Sequence, residues 1–138
     1  FNFFTNYNSP KSQAFKSHDQ VSGLFYWLST NVQIRIKAKI NKTSSIFNDE
    51  YFEKRSFKKN ALAISSEQSS KISSYEKIVQ NYNDVYKEIN LSKCPNYWGG
   101  FSFIPYYFEF WIGHESRINN RLVFKKIDNG WEKFIIQP

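Results

Sequence analysis

Two arginines stand four residues apart in EFWIGHESRINNR, residues 109–121, with the asparagine pair Asn119 and Asn120 between Arg117 and Arg121. If this stretch is extended, the period of two sets Arg117, Asn119 and Arg121 on one strand face as a row of hydrogen-bond donors. The plain alternative is an edge strand with exposed arginines. Tyr51 and Arg55 are four apart in a helical stretch and therefore share a face. A phenol beside a guanidinium suits an anionic oxygen, although a packed tyrosine next to a solvated arginine is the commoner case. TNYNSPK, residues 5–11, places a hydroxyl, a turn and a lysine at a helix start, where free N–H groups and the helix dipole attract phosphate. The same composition also makes an ordinary turn. SSEQSSKISS, residues 65–74, has six serines in ten and the composition of a linker. A linker, however, has no use for the amide of Gln68 framed by serines and followed by Ile72. None of the four stretches is specific by itself.

The arginines carry more weight once the background is considered. Of 19 basic residues four are arginine, Arg35, Arg55, Arg117 and Arg121, in a chain where lysine is the default cation. An arginine kept against that drift marks a position that uses the planar, forked, permanently charged guanidinium. Ordinary surface ion pairs explain any one of them equally well. The net charge of +7 with 20% aromatic residues also fits single-stranded nucleic acid, but the lysines are scattered from Lys11 to Lys133 and form no basic face.

With 138 residues, 41% of them hydrophobic, the chain is expected to form one domain spanning residues 1–138 with a real core. No apolar run approaches the length of a bilayer span, so a soluble, cytoplasmic protein without a membrane partner is expected. A single cysteine, Cys94, argues against a disulfide framework, and with only His18 and His114 besides, no metal site is expected. The chain starts at Phe1 and has no methionine, from which we expect a segment to be missing at the N-terminus.

The elements that must position these residues follow from periodicity. FNFFTN is predicted as a strand, and PKSQAFKSH as a short helix with Pro10 in its first turn. VSGLFYWL and VQIRIKAKIN are further strands, the second alternating Val32, Ile34, Ile36, Ala38 and Ile40 with polar residues. Ser44 or Ser45 caps a helix that runs through Arg55, and YEKIVQNYNDVYKEIN forms another with Ile78, Tyr82, Val85 and Ile89 on one stripe. FSFIPYYFEFWI, RLVFKKI and WEKFIIQ close the chain as strands, the last two joined at Asp128-Asn129-Gly130. The pattern is α+β, a mostly antiparallel sheet with the helices in the middle of the chain.

Taken in order, FNFFTNYNSPK, FYWLSTNVQIRIKAKI, YFEKR, SSEQSSKIS, WGGF, EFWIG, RINNR and WEKFIIQP make the chain closely resemble the pyridoxamine/pyridoxine 5′-phosphate oxidase family over essentially its whole length. That resemblance implies a homodimer of an FMN-binding split β-barrel with peripheral helices, the cofactor lying at the subunit interface. It implies oxidation of pyridoxamine or pyridoxine 5′-phosphate to pyridoxal 5′-phosphate: a hydride passes to the flavin, dioxygen reoxidises it to give hydrogen peroxide, and ammonia is lost from the amine substrate. The protein would be a pyridoxal 5′-phosphate synthase of vitamin B6 synthesis or salvage. By the same resemblance Phe4, Thr5, Lys11, Gln33, Gln68, Ser69, Trp111 and Arg121 match the FMN site. Tyr51, Arg55 and Arg117 match the substrate site, and Lys59 and Asn119 occupy two more of its positions with other residue types, Arg117 and Asn119 lying nearest the chemistry. Because the cofactor carries the redox step, the protein supplies orientation and electrostatics.

The chain departs from the family pattern at several positions. Asn119 and Asn120 stand where the family has histidine and aspartate, Pro10 and Val32 where it has arginine, Lys59 where it has serine, and Ile112 where it has glutamine. The family's upstream strand with its R-x-V-L-L-K motif is absent from the chain. These departures leave a second expectation beside the oxidase: a catalytically impaired or non-catalytic relative that binds FMN or pyridoxal phosphate.

Overall fold

The computed structural model describes residues 1–138. Strands β1 (Asn2–Asn6), β2 (Gln20–Trp27), β3 (Val32–Lys42), β4 (Trp98–Ile112), β5 (Asn120–Ile127) and β6 (Gly130–Ile135) form a six-stranded sheet in the order β2-β3-β4-β5-β6, with β1 also paired to β4. Helices α1 (Pro10–Ala14), α2 (Ser45–Lys54), α3 (Phe57–Ser65) and α4 (Tyr75–Glu88) complete the chain, which is α+β as expected. The β1–β4, β2–β3, β4–β5 and β5–β6 pairs are all antiparallel. The chain divides into two compact units, one of Phe1–His18 with Asn41–Ser102 and one of Asp19–Ile40 with Phe103–Pro138.

In the first unit, β1 lies against the WGGF start of β4, Phe4 opposite Gly100 and Thr5 opposite Gly99. A Cβ at Gly99 would run into the Tyr7 hydroxyl and the Asn48 amide, and one at Gly100 into Thr43 and Phe4, so the glycine pair is what lets these segments close. Ser44 caps α2 by accepting from the Phe47 N–H at 3.3 Å, as its sequence position suggests. The predicted helix over 10–18 stops at Ala14, where Phe15 turns inward to meet Phe101 edge-on at 5.1 Å. Helix α2 ends at Lys54 rather than running through Arg55, whose φ of −72° and ψ of 153° make it an extended C-cap, so the helix itself does not set Tyr51 and Arg55 on one face.

Helix α3 is absent from the sequence reading. Its most buried positions are Asn60 and Ala61, so no apolar stripe announces it. The Asn60 amide nitrogen donates to the Phe52 and Leu91 carbonyls, both at 2.8 Å, tying the end of α2 to the segment before β4. The predicted stripe of α4 is only half covered: Ile78 is 36% exposed and Ile89, already past the helix end, 50%.

The second unit has its core on one face of β3, where Ile34, Ile36 and Ala38 are buried against Val21, Phe103, Phe108 and Phe110. Arg35, Lys37 and Lys39 alternate with them on the exposed side, the half-buried pattern the sequence predicts. The β5–β6 hairpin turns at Asp128-Asn129, with Ile127 opposite Gly130, whose φ of +134° suits glycine.

One expectation is overturned here. Residues 109–121 are not a single extended strand: β4 ends at Ile112 and β5 begins at Asn120. Between them Arg117 takes a left-handed φ of 61° and its N–H donates to the His114 carbonyl at 2.9 Å. The polar run HESR supplies its own turn bonds, Ser116 N–H to His114 Nδ1 at 3.2 Å and His114 N–H to Asn119 Oδ1 at 3.1 Å, and such local bonds outcompete the ladder. Arg117 and Arg121 therefore do not share a strand face.

Candidate functional site

In the first unit, Thr5 and Gln68 meet although 63 residues separate them: the Thr5 hydroxyl donates to Gln68 Oε1 at 2.8 Å. The Asn6 N–H donates to the same oxygen at 3.2 Å, and Lys11 Nζ donates to Thr5 Oγ1 at 3.2 Å. Gln68 is placed by the serine stretch, which turns through a Ser70 N–H to Glu67 carbonyl bond of 2.9 Å with Ser69 at φ 72°. An open cavity of about 490 Å³ lies beside it, lined by Asn6, Asn8, Ser65, Ser66, Tyr97 and one carboxylate, Glu67, among others. The ammonium of Lys11 has a hydroxyl, not a carboxylate, as its partner, so its charge is left for an anion.

The other matched residues of this unit gather on an aromatic stack. Phe4 lies flat on Tyr51, ring centroids 3.7 Å apart at 4°, and on Trp98 at 5.2 Å. The Arg55 guanidinium sits 4.8 Å above the Trp98 ring, and its Nη1 donates to Asn60 Oδ1 at 3.4 Å. Burial pulls the Arg55 pKa down, Tyr51 and Cys94 pulling the other way, but a guanidinium stays protonated. Like Lys11, Arg55 has no carboxylate on it, only an amide oxygen and ring faces. Lys59 is exposed on α3, next to Asn60. The Cys94 thiol is pushed up to about 11 by burial and by Asp49, so it is an inert thiol at neutral pH.

In the second unit, Arg121 Nε donates to Glu109 Oε1 at 2.8 Å and its Nη1 to the Gln137 carbonyl at 2.9 Å. The Tyr107 hydroxyl donates to Glu109 Oε2 at 3.0 Å and Arg35 Nη1 to Oε1 at 3.4 Å. Burial pushes the Glu109 carboxyl up, but the bonds from Arg121 and Tyr107 and the two guanidinium charges outweigh it and hold the carboxyl below its ordinary range. Gln33 accepts from Arg35 Nε at 2.6 Å. Trp111 lies opposite Arg121 in the β4–β5 register. Asn119 closes the turn described above, and Arg117 sits within it.

A protein-family model described as the pyridoxine 5′-phosphate oxidase C-terminal dimerisation region matches residues 98–138. The pyridoxine/pyridoxamine 5′-phosphate oxidase of Coxiella burnetii is 32% identical over 139 residues, covering 100% of this chain and 71% of the relative. The chain belongs to the pyridoxine/pyridoxamine 5′-phosphate oxidase family. The oxidase of Leptospira interrogans is 35% identical over 146 residues, with all of this chain matching 66% of that protein.

Among solved structures, the oxidase-family fold is shared with PhzG from Burkholderia lata, crystallised with tetrahydrophenazine-1-carboxylic acid. Its TM-score is 0.87 at 26% identity, covering 99% of this chain and 68% of PhzG. A pyridoxamine 5′-phosphate oxidase-related, FMN-binding protein of Nostoc punctiforme has a TM-score of 0.76 at 14% identity over 99% of this chain and 71% of its own, a likeness of fold.

Three residues of these clusters escaped the sequence reading as site members. Asn60 gave no signal, because an asparagine in a lysine-rich stretch looks like surface. Glu109 did: it is the one acid in the apolar run YYFEFWI, where burial without a partner would be costly. Arg35 was flagged by its type but had no assigned partner.

Proposed function

We propose that this chain is a cytoplasmic FMN-dependent oxidase that converts pyridoxamine or pyridoxine 5′-phosphate to pyridoxal 5′-phosphate, with dioxygen as acceptor and hydrogen peroxide as second product, acting as a homodimer with FMN at the subunit interface. The observation that carries this reading is the Thr5–Gln68–Lys11 cluster, three residues matched to the flavin site and hydrogen-bonded together across the sequence. The cluster fits the cofactor: it offers an uncompensated ammonium for a phosphate beside a polar cavity. Phe4, Ser69, Gln33, Trp111 and Arg121 complete the matched set.

The two kinds of cation support a division of labour. Arg55 and Lys11 have no carboxylate partner and suit dianionic phosphates, whereas the Arg121 charge is balanced by Glu109 and suits a neutral ring edge. Arg55 and Tyr51, with Lys59 near them in sequence, hold the substrate phosphate. Arg117 holds the substrate ring by the family match, and its turn fixes its backbone through the bond to His114. When bound, FMN supplies the hydride acceptor that dioxygen restores. Oxidation of the alcohol substrate also releases its hydroxyl proton, and with asparagine at 119, which cannot be protonated, that proton would pass to solvent.

The second reading, an FMN- or pyridoxal phosphate-binding relative without turnover, is favoured by one observation: Asn119 Oδ1 is engaged in closing its own turn. Turnover assays separate the two. With FMN present, pyridoxal phosphate and peroxide form in equal amounts from the phosphorylated substrates and far more slowly from unphosphorylated pyridoxine. Arg117→Ala abolishes turnover and retains FMN, and Asn119→His raises the rate. Absence of product from the wild-type chain with FMN bound decides for the non-catalytic relative.

A further inference from the structure

Glu109 opens the EFWIG stretch that resembles the family but has no role assigned by that resemblance; it bonds the matched residue Arg121 directly and reaches a second, Gln33, through Arg35. Its side chain is 5% exposed, and its two oxygens receive three donors: Arg121 Nε at 2.8 Å and Arg35 Nη1 at 3.4 Å on one, the Tyr107 hydroxyl at 3.0 Å on the other. Arg35 in turn donates through Nε to Gln33 Oε1 at 2.6 Å. The chain of contacts therefore runs Gln33–Arg35–Glu109–Arg121, with the carboxylate at its centre.

The chemistry of arginine fixes the polarity of this chain. A guanidinium only donates, so the oxygen of the Gln33 amide faces Arg35 and its NH2 group points away from it. Glu109 takes the Nε–H of Arg121 and the Gln137 carbonyl one N–H of Nη1, which leaves Nη2 unengaged. Both ends of the chain thus present N–H groups, and neither presents an acceptor.

We propose that Glu109 and Arg35 are positioning residues that hold Gln33 and Arg121 as hydrogen-bond donors, so that this part of the site selects acceptors on its ligand, such as the carbonyl oxygens and unprotonated ring nitrogens of oxidised flavin. The inference rests on the FMN reading above and deepens it. The bland alternative, an ion pair that only braces the sheet, differs in what it predicts for Arg35. That side chain is 45% exposed and its contact with Glu109 is long, so its loss costs little stability. In the positioning account the same loss frees the Gln33 amide to rotate.

The test uses the full 138-residue chain with Arg35→Met, Arg35→Lys and Glu109→Gln. In the FMN-free protein, the nitrogen-15 and proton resonances of the Gln33 side-chain amide, assigned with Gln33→Leu, shift in Arg35→Met. In FMN titrations followed by fluorescence quenching, Kd rises about tenfold or more in Arg35→Met and Glu109→Gln, the scale of a lost charged hydrogen bond, and Arg35→Lys falls between. The unfolding midpoint of the FMN-free Arg35→Met protein stays close to wild type. Wild-type FMN affinity and an unmoved Gln33 amide in Arg35→Met would overturn the inference while leaving the FMN reading standing. A wild-type chain that binds no FMN would overturn both.

Discussion

The Glu109 carboxylate and the Arg121 guanidinium form a 2.8 Å bond in which one partner is almost wholly enclosed and the other only partly. The pair has a pH signature. Glu109 is held below its ordinary range in the folded chain. Its contribution is therefore fully present above the unfolded glutamate pKa, about 4.3, and is lost as pH falls through the lower folded value. Thermal unfolding of the wild type followed from pH 6 downward shows this loss, and Glu109→Gln flattens the slope in the same acid range. At pH 7 the variant is less stable by about 2 kcal/mol, since it leaves a guanidinium without its carboxylate. Identical acid slopes in the two proteins contradict the assignment.

Gln68 is expected to act on cofactor binding and not on substrate. Gln68→Ala removes the acceptor shared by the Thr5 hydroxyl and the Asn6 N–H and weakens FMN binding about tenfold, while KM for substrate at saturating FMN changes little. Equilibrium titration and steady-state kinetics on one preparation separate the two effects.

Arg55 is expected to show the opposite split. Its guanidinium lies over Trp98 with no carboxylate partner, which leaves its charge available for the phosphate proposed above. Arg55→Met raises KM for pyridoxine phosphate about 100-fold, the equivalent of one bidentate charged contact, and leaves FMN affinity within about twofold. Arg55→Lys recovers only part of the loss, because an ammonium cannot reproduce the fork. A KM unchanged in Arg55→Met removes Arg55 from the substrate site.

Cys94 offers a check on the packing near Arg55. With its thiol pushed up to about 11, the native protein reacts with iodoacetamide at pH 8 about two orders of magnitude more slowly than a free cysteine. Labelling at the rate of a free thiol contradicts the packing around Arg55 and Asp49.

What was legible in the sequence divides along physical lines. The alternation of β3, the Ser44 cap and the turn at Asp128-Asn129 each depend on one local rule, and each is where the sequence puts it. Resemblance assigned Thr5 and Gln68 to one cofactor site, but their hydrogen bond was not foreseen, since no local signal spans 63 residues. Helix α3 was missed because its key buried residue, Asn60, satisfies its amide on the Phe52 and Leu91 carbonyls, contacts invisible to periodicity. The extended reading of residues 109–121 failed because the polar side chains of His114 and Asn119 bond to nearby backbone. Glu109 was visible as a lone acid among aromatics, but its arginine partners lie 74 and 12 residues away.

A flavin on this chain that accepts hydride from a phosphorylated pyridoxine would bleach as it is reduced. The most direct measurement is the visible spectrum of the purified protein with FMN, before and after anaerobic addition of pyridoxine 5′-phosphate. The oxidised flavin band is expected to disappear on addition of substrate and to return when air is admitted. A bound flavin whose band is unchanged by substrate would contradict the oxidase reading.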